Sequence, residues 1–187
     1  MKINFLSILV IIVIFFSGCD DKKTTNSHEN VDNNSKEVVE NETITLKGLN
    51  KQLLNITIKD SKTLHIKEYK NRVILLNFFT SWCPPCKAEI PHLINLQNRY
   101  KDDFKIISIS LDKKKTKEQM KEFVSKYGIN YFVNFGESSF LIEKKIGGVQ
   151  TVPMMLMYDK NGDYFTHYSS AVPEEMIEAD IKKAMEK

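Results

Sequence analysis

Cys83 and Cys86 are separated by two prolines in the segment TSWCPPCKAEIP, residues 80–91. The chain has only three cysteines, so two of them at this spacing ask for a chemical reason. A structural zinc site needs four ligands. No second cysteine pair exists, and His65, His92 and His167 show no ligand spacing, so no metal site is read here. Two cysteines this close can instead close on each other and reopen. If a strand ends at Cys83 and a helix begins at Pro84, Cys83 sits at the helix N-terminus. The partial positive charge there stabilises a thiolate, the reactive form of cysteine. Cys86, one turn into the helix, would be the more enclosed of the two. It could attack a mixed disulfide formed on Cys83 and release the product. Pro84 fits the first helical turn, where a missing N–H costs nothing. The plain alternative is a static disulfide, but a two-residue loop is a poor staple for a domain of this size. Trp82 would flank the thiol and shape substrate access.

These residues need a scaffold. At 187 residues the chain suits one domain with a real core. A net charge of +3 is too small to argue for nucleic acid as a partner. The globular pattern begins near Ile44. LLNITIKD and KTLHIKEY read as two short strands joined by a polar turn at Asp60–Lys62. RVILLNFF, from Arg72 to Phe79, is an almost unbroken apolar run and suits a strand buried on both faces. The helix after the cysteines should turn Ile90, Leu93, Ile94 and Tyr100 inward. FKIISISLD reads as a second buried strand. Thr116 and Gln119 fit a capping box, with Met120, Phe123, Val124 and Tyr127 at helical spacing and Gly128 as the stop. YFVNF and SSFLIEKKI suggest a short strand and a short helix. PMMLMYDKNGDYFTHY reads as a hairpin turning at Asn161-Gly162, and a last helix starts at Pro173. Phe79 and Tyr158 read as core residues, and Met154, Met155 and Met157 as core packing on a strand rather than soft copper ligands. The predicted architecture is an α/β fold over 44–187, with a central mixed sheet, flanking helices and an N-terminal strand or hairpin extension.

The N-terminus carries different signals. Lys2 precedes an apolar run from Ile3 to Phe16, the length of a signal-peptide core and short for a spanning helix. FSGC, ending at Cys19, resembles a bacterial lipobox, in which the cysteine is acylated after cleavage of residues 1–18. An uncleaved N-terminal anchor is the other reading. Both place the domain in the cell envelope, on the periplasmic side of a membrane. A lipid on Cys19 also accounts for the third cysteine, otherwise a stray thiol in an oxidising compartment. Residues 19–43 read as a polar, disordered tether. From Asp20 onward the tether carries seven acids, Asp20, Asp21, Glu29, Asp32, Glu37, Glu40 and Glu42, against Lys22, Lys23 and Lys36.

NFFTSWCPPCKAEIPHL resembles the active-site segment of thioredoxin-fold proteins of the TlpA/ResA/CcmG type, and the similarity extends over roughly Leu53 to Met185. That resemblance implies an exported, membrane-tethered thiol–disulfide oxidoreductase whose only redox group is the Cys83–Cys86 pair, with no separate cofactor. It identifies Pro91 with the family's helix-kink proline. GGVQTVPMMLMYDKNG resembles the cis-proline region, so the Val152–Pro153 bond is expected to be cis, with the Val152 backbone facing the dithiol and able to pair with a substrate strand. ResA-like relatives carry a glutamate at the position of Glu89, close to the active site. A buried Glu89 could accept or relay the proton of Cys86, whereas a solvated one would do neither. Asn77 stands where cytoplasmic thioredoxins keep a buried acid. An amide cannot act as a base, so that task would shift to Glu89.

The implied partners are a membrane thiol–disulfide transporter as electron donor and protein disulfides as substrates, with apocytochrome c among them. A monomer is expected. After the cis-proline, Met154-Met155-Leu156 replaces the Glu-Thr-Phe or Thr-Thr-Phe of many cytochrome-maturation members, which leaves the substrate open. An oxidase that donates its disulfide and a copper metallochaperone on the same fold are the alternative functions. A peroxiredoxin motif is matched only in part, because Leu76 stands where its proline should be.

Overall fold

Val73–Phe79 (β4) is buried at every residue, and the fold is arranged to cover both of its faces. The structure is a computed structural model that describes residues 43–59 and 62–187. The segments read from sequence as an export signal and a tether, with Cys19, lie outside the described residues. Further strands are β1 (Thr43–Lys47), β2 (Leu53–Lys59), β3 (Thr63–Ile66), β5 (Phe104–Ser110), β6 (Phe132–Asn134), β7 (Met154–Tyr158) and β8 (Tyr164–Tyr168). The helices are α1 (Pro84–Arg99), α2 (Lys117–Lys126), α3 (Glu137–Lys145) and α4 (Glu174–Ala184).

Among the described residues, five strands form a mixed sheet in the order β6-β5-β4-β7-β8. β4 pairs in parallel with β5 and antiparallel with β7. Alternation along β4 sends Val73 and Leu75 to one face, against Leu93 and Leu96 of α1 and Ile177 and Ile181 of α4. It sends Ile74, Leu76 and Phe78 to the other face, against Leu46, Leu54 and Ile56 and Ile142 of α3. The near-continuous apolar run follows from this double cover.

The N-terminal extension is a separate antiparallel sheet, β1-β2-β3. β1, whose TITLK alternates exposed and buried residues, joins the expected β2–β3 hairpin as a third strand. This sheet is tied to both edges of the main one. The Leu49 N–H donates to the Val133 carbonyl at 3.0 Å beside β6, and the Leu64 N–H donates to the Gly162 carbonyl at 2.7 Å beside the β7–β8 turn. Edge strands left with free N–H and C=O groups invite association, and these contacts engage both edges. The capping box at Thr116 forms as expected, and Gly128 follows α2 at φ 62°. Met155 and Met157 lie fully buried on the α1/α4 face, while Met154 packs against the opposite face.

Candidate active site

The carboxyl ends of β4 and β5 lie side by side, with Phe79 opposite Ser110, so the chain leaving each strand meets the other at one edge. That edge carries the dithiol. Cys83 has extended backbone (φ −76°, ψ 114°) and caps α1, with Pro84 and Pro85 at the first two helical positions. The Cys86 N–H donates to Cys83 Sγ at 3.2 Å. Cys83 and Cys86 are joined as a disulfide. In the reduced state the same N–H and the helix terminus would face a Cys83 thiolate and lower its proton affinity. Both residues are buried in the disulfide form, Cys83 at 2% exposure and Cys86 at 4%. From 69 residues further along the chain, the Val152 carbonyl oxygen comes to 3.5 Å from Cys83 Sγ. The Val152–Pro153 bond is cis, and Pro153 is buried while Val152 is half-buried. Cys83 is thus set apart from Cys86 by its place at the helix N-terminus and beside Val152.

Trp82 is 68% exposed, a large apolar side chain held in solvent one residue before the disulfide. Its loop is fixed from below by Asp112, which sequence reasoning passed over. The buried Asp112 carboxylate accepts from the Ser81 N–H at 2.8 Å, the Ser81 hydroxyl at 3.0 Å and the Ser110 hydroxyl at 3.0 Å. Charge-assisted bonds of this kind are about twice as strong as neutral ones. The signal was available: an acid two residues after a buried strand parallel to the one that leads into the cysteines must emerge at the same edge.

Behind Cys86 lies a polar cluster inside the helix face of the sheet. Glu89, three residues after Cys86 on α1, is 2% exposed. Its Oε2 accepts from the Val172 N–H at 3.1 Å, and its Oε1 is buried with no protein partner. Burial pushes its carboxyl above the usual carboxylate range, opposed by the Val172 hydrogen bond and by His92. The Asn77 amide donates to Ser108 Oγ at 2.9 Å, while its own Oδ1 is buried and unpaired among protein groups. Burial drives the Tyr131 phenol well above its ordinary range. Asn77, Cys86, Ser108 and Tyr131 border a cavity of about 10 Å³. That is about the space one water needs.

The sequence-predicted residues Trp82, Cys83, Pro84, Cys86, Glu89, Val152 and Pro153 therefore converge at one end of the sheet. Ser108, Asp112 and Tyr131 join them. Among the described residues, no group of three or more His, Cys, Asp or Glu is placed to hold a metal ion.

Comparison with known proteins agrees with this geometry. The Redoxin family model matches residues 44–179. The thiol-disulfide oxidoreductase ResA of Bacillus anthracis is 31% identical over 130 residues, which cover 68% of this chain and 72% of that one. Its namesake in Bacillus thuringiensis subsp. konkukian is 30% identical over 128 residues, with the same two shares, 68% and 72%. Among solved structures, a DsbF homologue from Corynebacterium diphtheriae superposes with a TM-score of 0.63 at 22% identity, over 75% of this chain and 83% of that one. StoA from Bacillus subtilis gives 0.58 at 18% identity, over 76% and 98%. The fold is the thioredoxin fold, a three-stranded sheet is added at its N-terminus, and the chain belongs to the Redoxin family as a ResA-like thiol–disulfide oxidoreductase.

Proposed function

We propose that the chain is a membrane-tethered reductase of protein disulfides in the cell envelope, with Cys83 as the attacking thiol and Cys86 as the resolving one. The observation that carries the roles is the setting of Cys83: at the N-terminus of α1, with the Cys86 N–H on its sulfur and the Val152 carbonyl 3.5 Å away. In the reduced protein the Cys83 thiolate attacks one sulfur of a substrate disulfide. The S–S bond breaks, one substrate thiolate leaves, and a mixed disulfide forms on Cys83. Cys86 then loses its proton and attacks Cys83 Sγ. The second substrate thiolate leaves, and the Cys83–Cys86 disulfide results. Two electrons have passed to the substrate, and a thiol donor must return two to the chain. A tether would hold the domain within reach of a donor in the membrane, and a membrane thiol–disulfide transporter has the required chemistry. Trp82, Pro84, Val152 and Pro153 would contact the substrate. The lipid on Cys19 rests on the FSGC motif and the apolar run before it. Apocytochrome c, whose haem-site cysteines must be reduced before attachment, is one substrate of the right chemistry.

Glu89 is the group we assign to the proton of Cys86. It shares a helix face with Cys86 at i, i+3, and its buried, unpaired Oε1 leaves one oxygen free for that proton. Alkylation of the reduced protein across pH tests these roles. Cys83 should be labelled first, with a pKa below the free value of about 8.5. In Glu89→Gln the Cys86 titration should move to lower pH, because a neighbouring negative charge is gone. Resolution should slow by about a hundredfold, because no carboxylate takes the proton. The same substitution has a stability signature. A carboxyl raised in the folded state holds its proton longer than in the unfolded chain. Its contribution is therefore full below the usual 4.5 and is lost as pH rises through the raised value. Glu89→Gln should abolish that slope without unfolding the domain. First labelling of Cys86, or identical pH profiles in the two proteins, would contradict the assignment.

A further inference from the structure

We propose that the groove beside Trp82 docks an acidic segment of the substrate, so that the disulfides this protein reduces are flanked by carboxylates. The inference rests on the reductase reading above and adds the class of substrate.

The groove has a volume of about 770 Å³ and is bordered by Trp82, Lys87, Leu111, Lys113, Lys114 and Lys115, with Asp112 in its wall. Four chain segments build it: the loop before Cys83, the first turn of α1, the run DKKK after β5 and Gln119 of α2. Lys87 lies one turn from the disulfide, and its N–H donates to the Cys83 carbonyl at 3.2 Å. Lys113 is held with its ammonium 5.8 Å from the centre of the Phe140 ring, so this end of the run is anchored rather than free. Asp112 offsets one of these charges, and its oxygens are bonded to Ser81 and Ser110 rather than to a lysine.

Four lysines against one carboxylate give the groove a balance of +3, where residues 43–187 as a whole carry +6, from 23 Lys and Arg against 17 Asp and Glu. Half of the domain's net positive charge therefore lies in this one groove beside the disulfide. The other flank of the disulfide is uncharged: Pro84, Pro85 and Ala88 on α1, and Gln150 and Thr151 before Val152, are exposed and carry no charge. A substrate strand lying along Val152 would meet neutral backbone on one side and ammonium groups on the other. Exposed ion pairs add little affinity, commonly below about 1 kcal/mol each. A local field of one sign beside the reacting atom acts chiefly on encounter, raising association rates by about 10–1,000-fold and falling steeply with salt. Exposed Trp82, at the mouth, supplies the apolar contact that a purely electrostatic groove would lack.

The test uses the full chain, reduced, with synthetic disulfide peptides identical except for flanking residues: four Glu, four Gln or four Lys. At low ionic strength the acidic peptide should be reduced about tenfold or more faster than the Gln peptide, and the Lys peptide more slowly than both. The preference should vanish near 1 M NaCl, where the screening length is about 3 Å. The triple substitution Lys113→Gln, Lys114→Gln, Lys115→Gln should bring the acidic peptide's rate down to that of the Gln peptide. Equal rates for the three peptides with the unaltered protein would overturn this inference and leave the reductase reading standing. A preference that survives the triple substitution would also overturn it. Reduction of none of the peptides would remove the reductase reading, and this inference with it.

Discussion

With Cys86 replaced by serine, the protein should accumulate in the envelope as a disulfide-linked adduct through Cys83. The attacking step needs only Cys83, which keeps its helix terminus. The resolving step needs a second thiolate, and a neutral hydroxyl is a far weaker nucleophile. Turnover should fall by about 10⁴-fold or more, as when a reacting nucleophile is removed from other enzymes. The adduct should survive non-reducing electrophoresis, collapse on reduction, and be absent when Cys83 is also replaced. Mass spectrometry of the linked partner reads both ends of the relay. A polytopic membrane protein would be the electron donor, and an exported protein with C-x-x-C-H would place apocytochrome c among the substrates. Capture of many unrelated exported proteins would mark a general envelope reductase instead. If the serine variant turns over at the rate of the unaltered protein, Cys86 is not the resolving thiol.

Gly162→Ala should lower stability by about 2–4 kcal/mol while leaving the chemistry of the surviving folded protein unchanged. Gly162 closes the β7–β8 turn at φ 87°, a backbone conformation in the left-handed half of the map. A Cβ there would stand 2.4 Å from the Leu64 carbonyl oxygen, a backbone atom that cannot swing aside. The same turn supplies the carbonyl that the Leu64 N–H bonds at 2.7 Å. Strain at the turn, about 1–3 kcal/mol, and loss of that bond act together. The damage falls where the N-terminal sheet meets the main one. Urea unfolding should show a lower midpoint, with thiol titration unaltered. An unfolding free energy within about 0.5 kcal/mol of the unaltered protein's, the ordinary scatter for neutral surface changes, would mean the two sheets adjust independently.

Much of this was legible along the chain, and the reason is periodicity. β4 announces itself as an almost unbroken apolar run, and β5 as an isoleucine-rich one, because both are covered on both faces. α2 declares its start through Thr116 and Gln119 and its end through Gly128. The two cysteines are adjacent in sequence, so their chemistry needs no fold to be read. β1 was harder. Its five residues alternate as TITLK and follow a polar segment directly, so only the pairing with β2 marks them as a strand.

Residues that meet across the fold were legible only through family resemblance or not at all. Val152 reaches Cys83 from 69 residues away. Spacing on α1 put Glu89 beside Cys86 but could not say whether the carboxyl was wet or dry, because burial depends on Val172 arriving from beyond β8. Asp112 is a single acid after an apolar run, and only the parallel pairing of β4 with β5 brings it under Ser81.

The reduction potential of the Cys83–Cys86 couple, measured by equilibrium with defined thiol–disulfide buffers, tests the central claim most directly. Every 30 mV is about 1.4 kcal/mol for a two-electron couple, so direction follows from modest differences. A reductase should lie nearer the thioredoxin value of about −270 mV than the DsbA value of about −120 mV, and the reduced protein should show two titrating thiols. A potential near −120 mV would make the protein a disulfide donor and contradict the account.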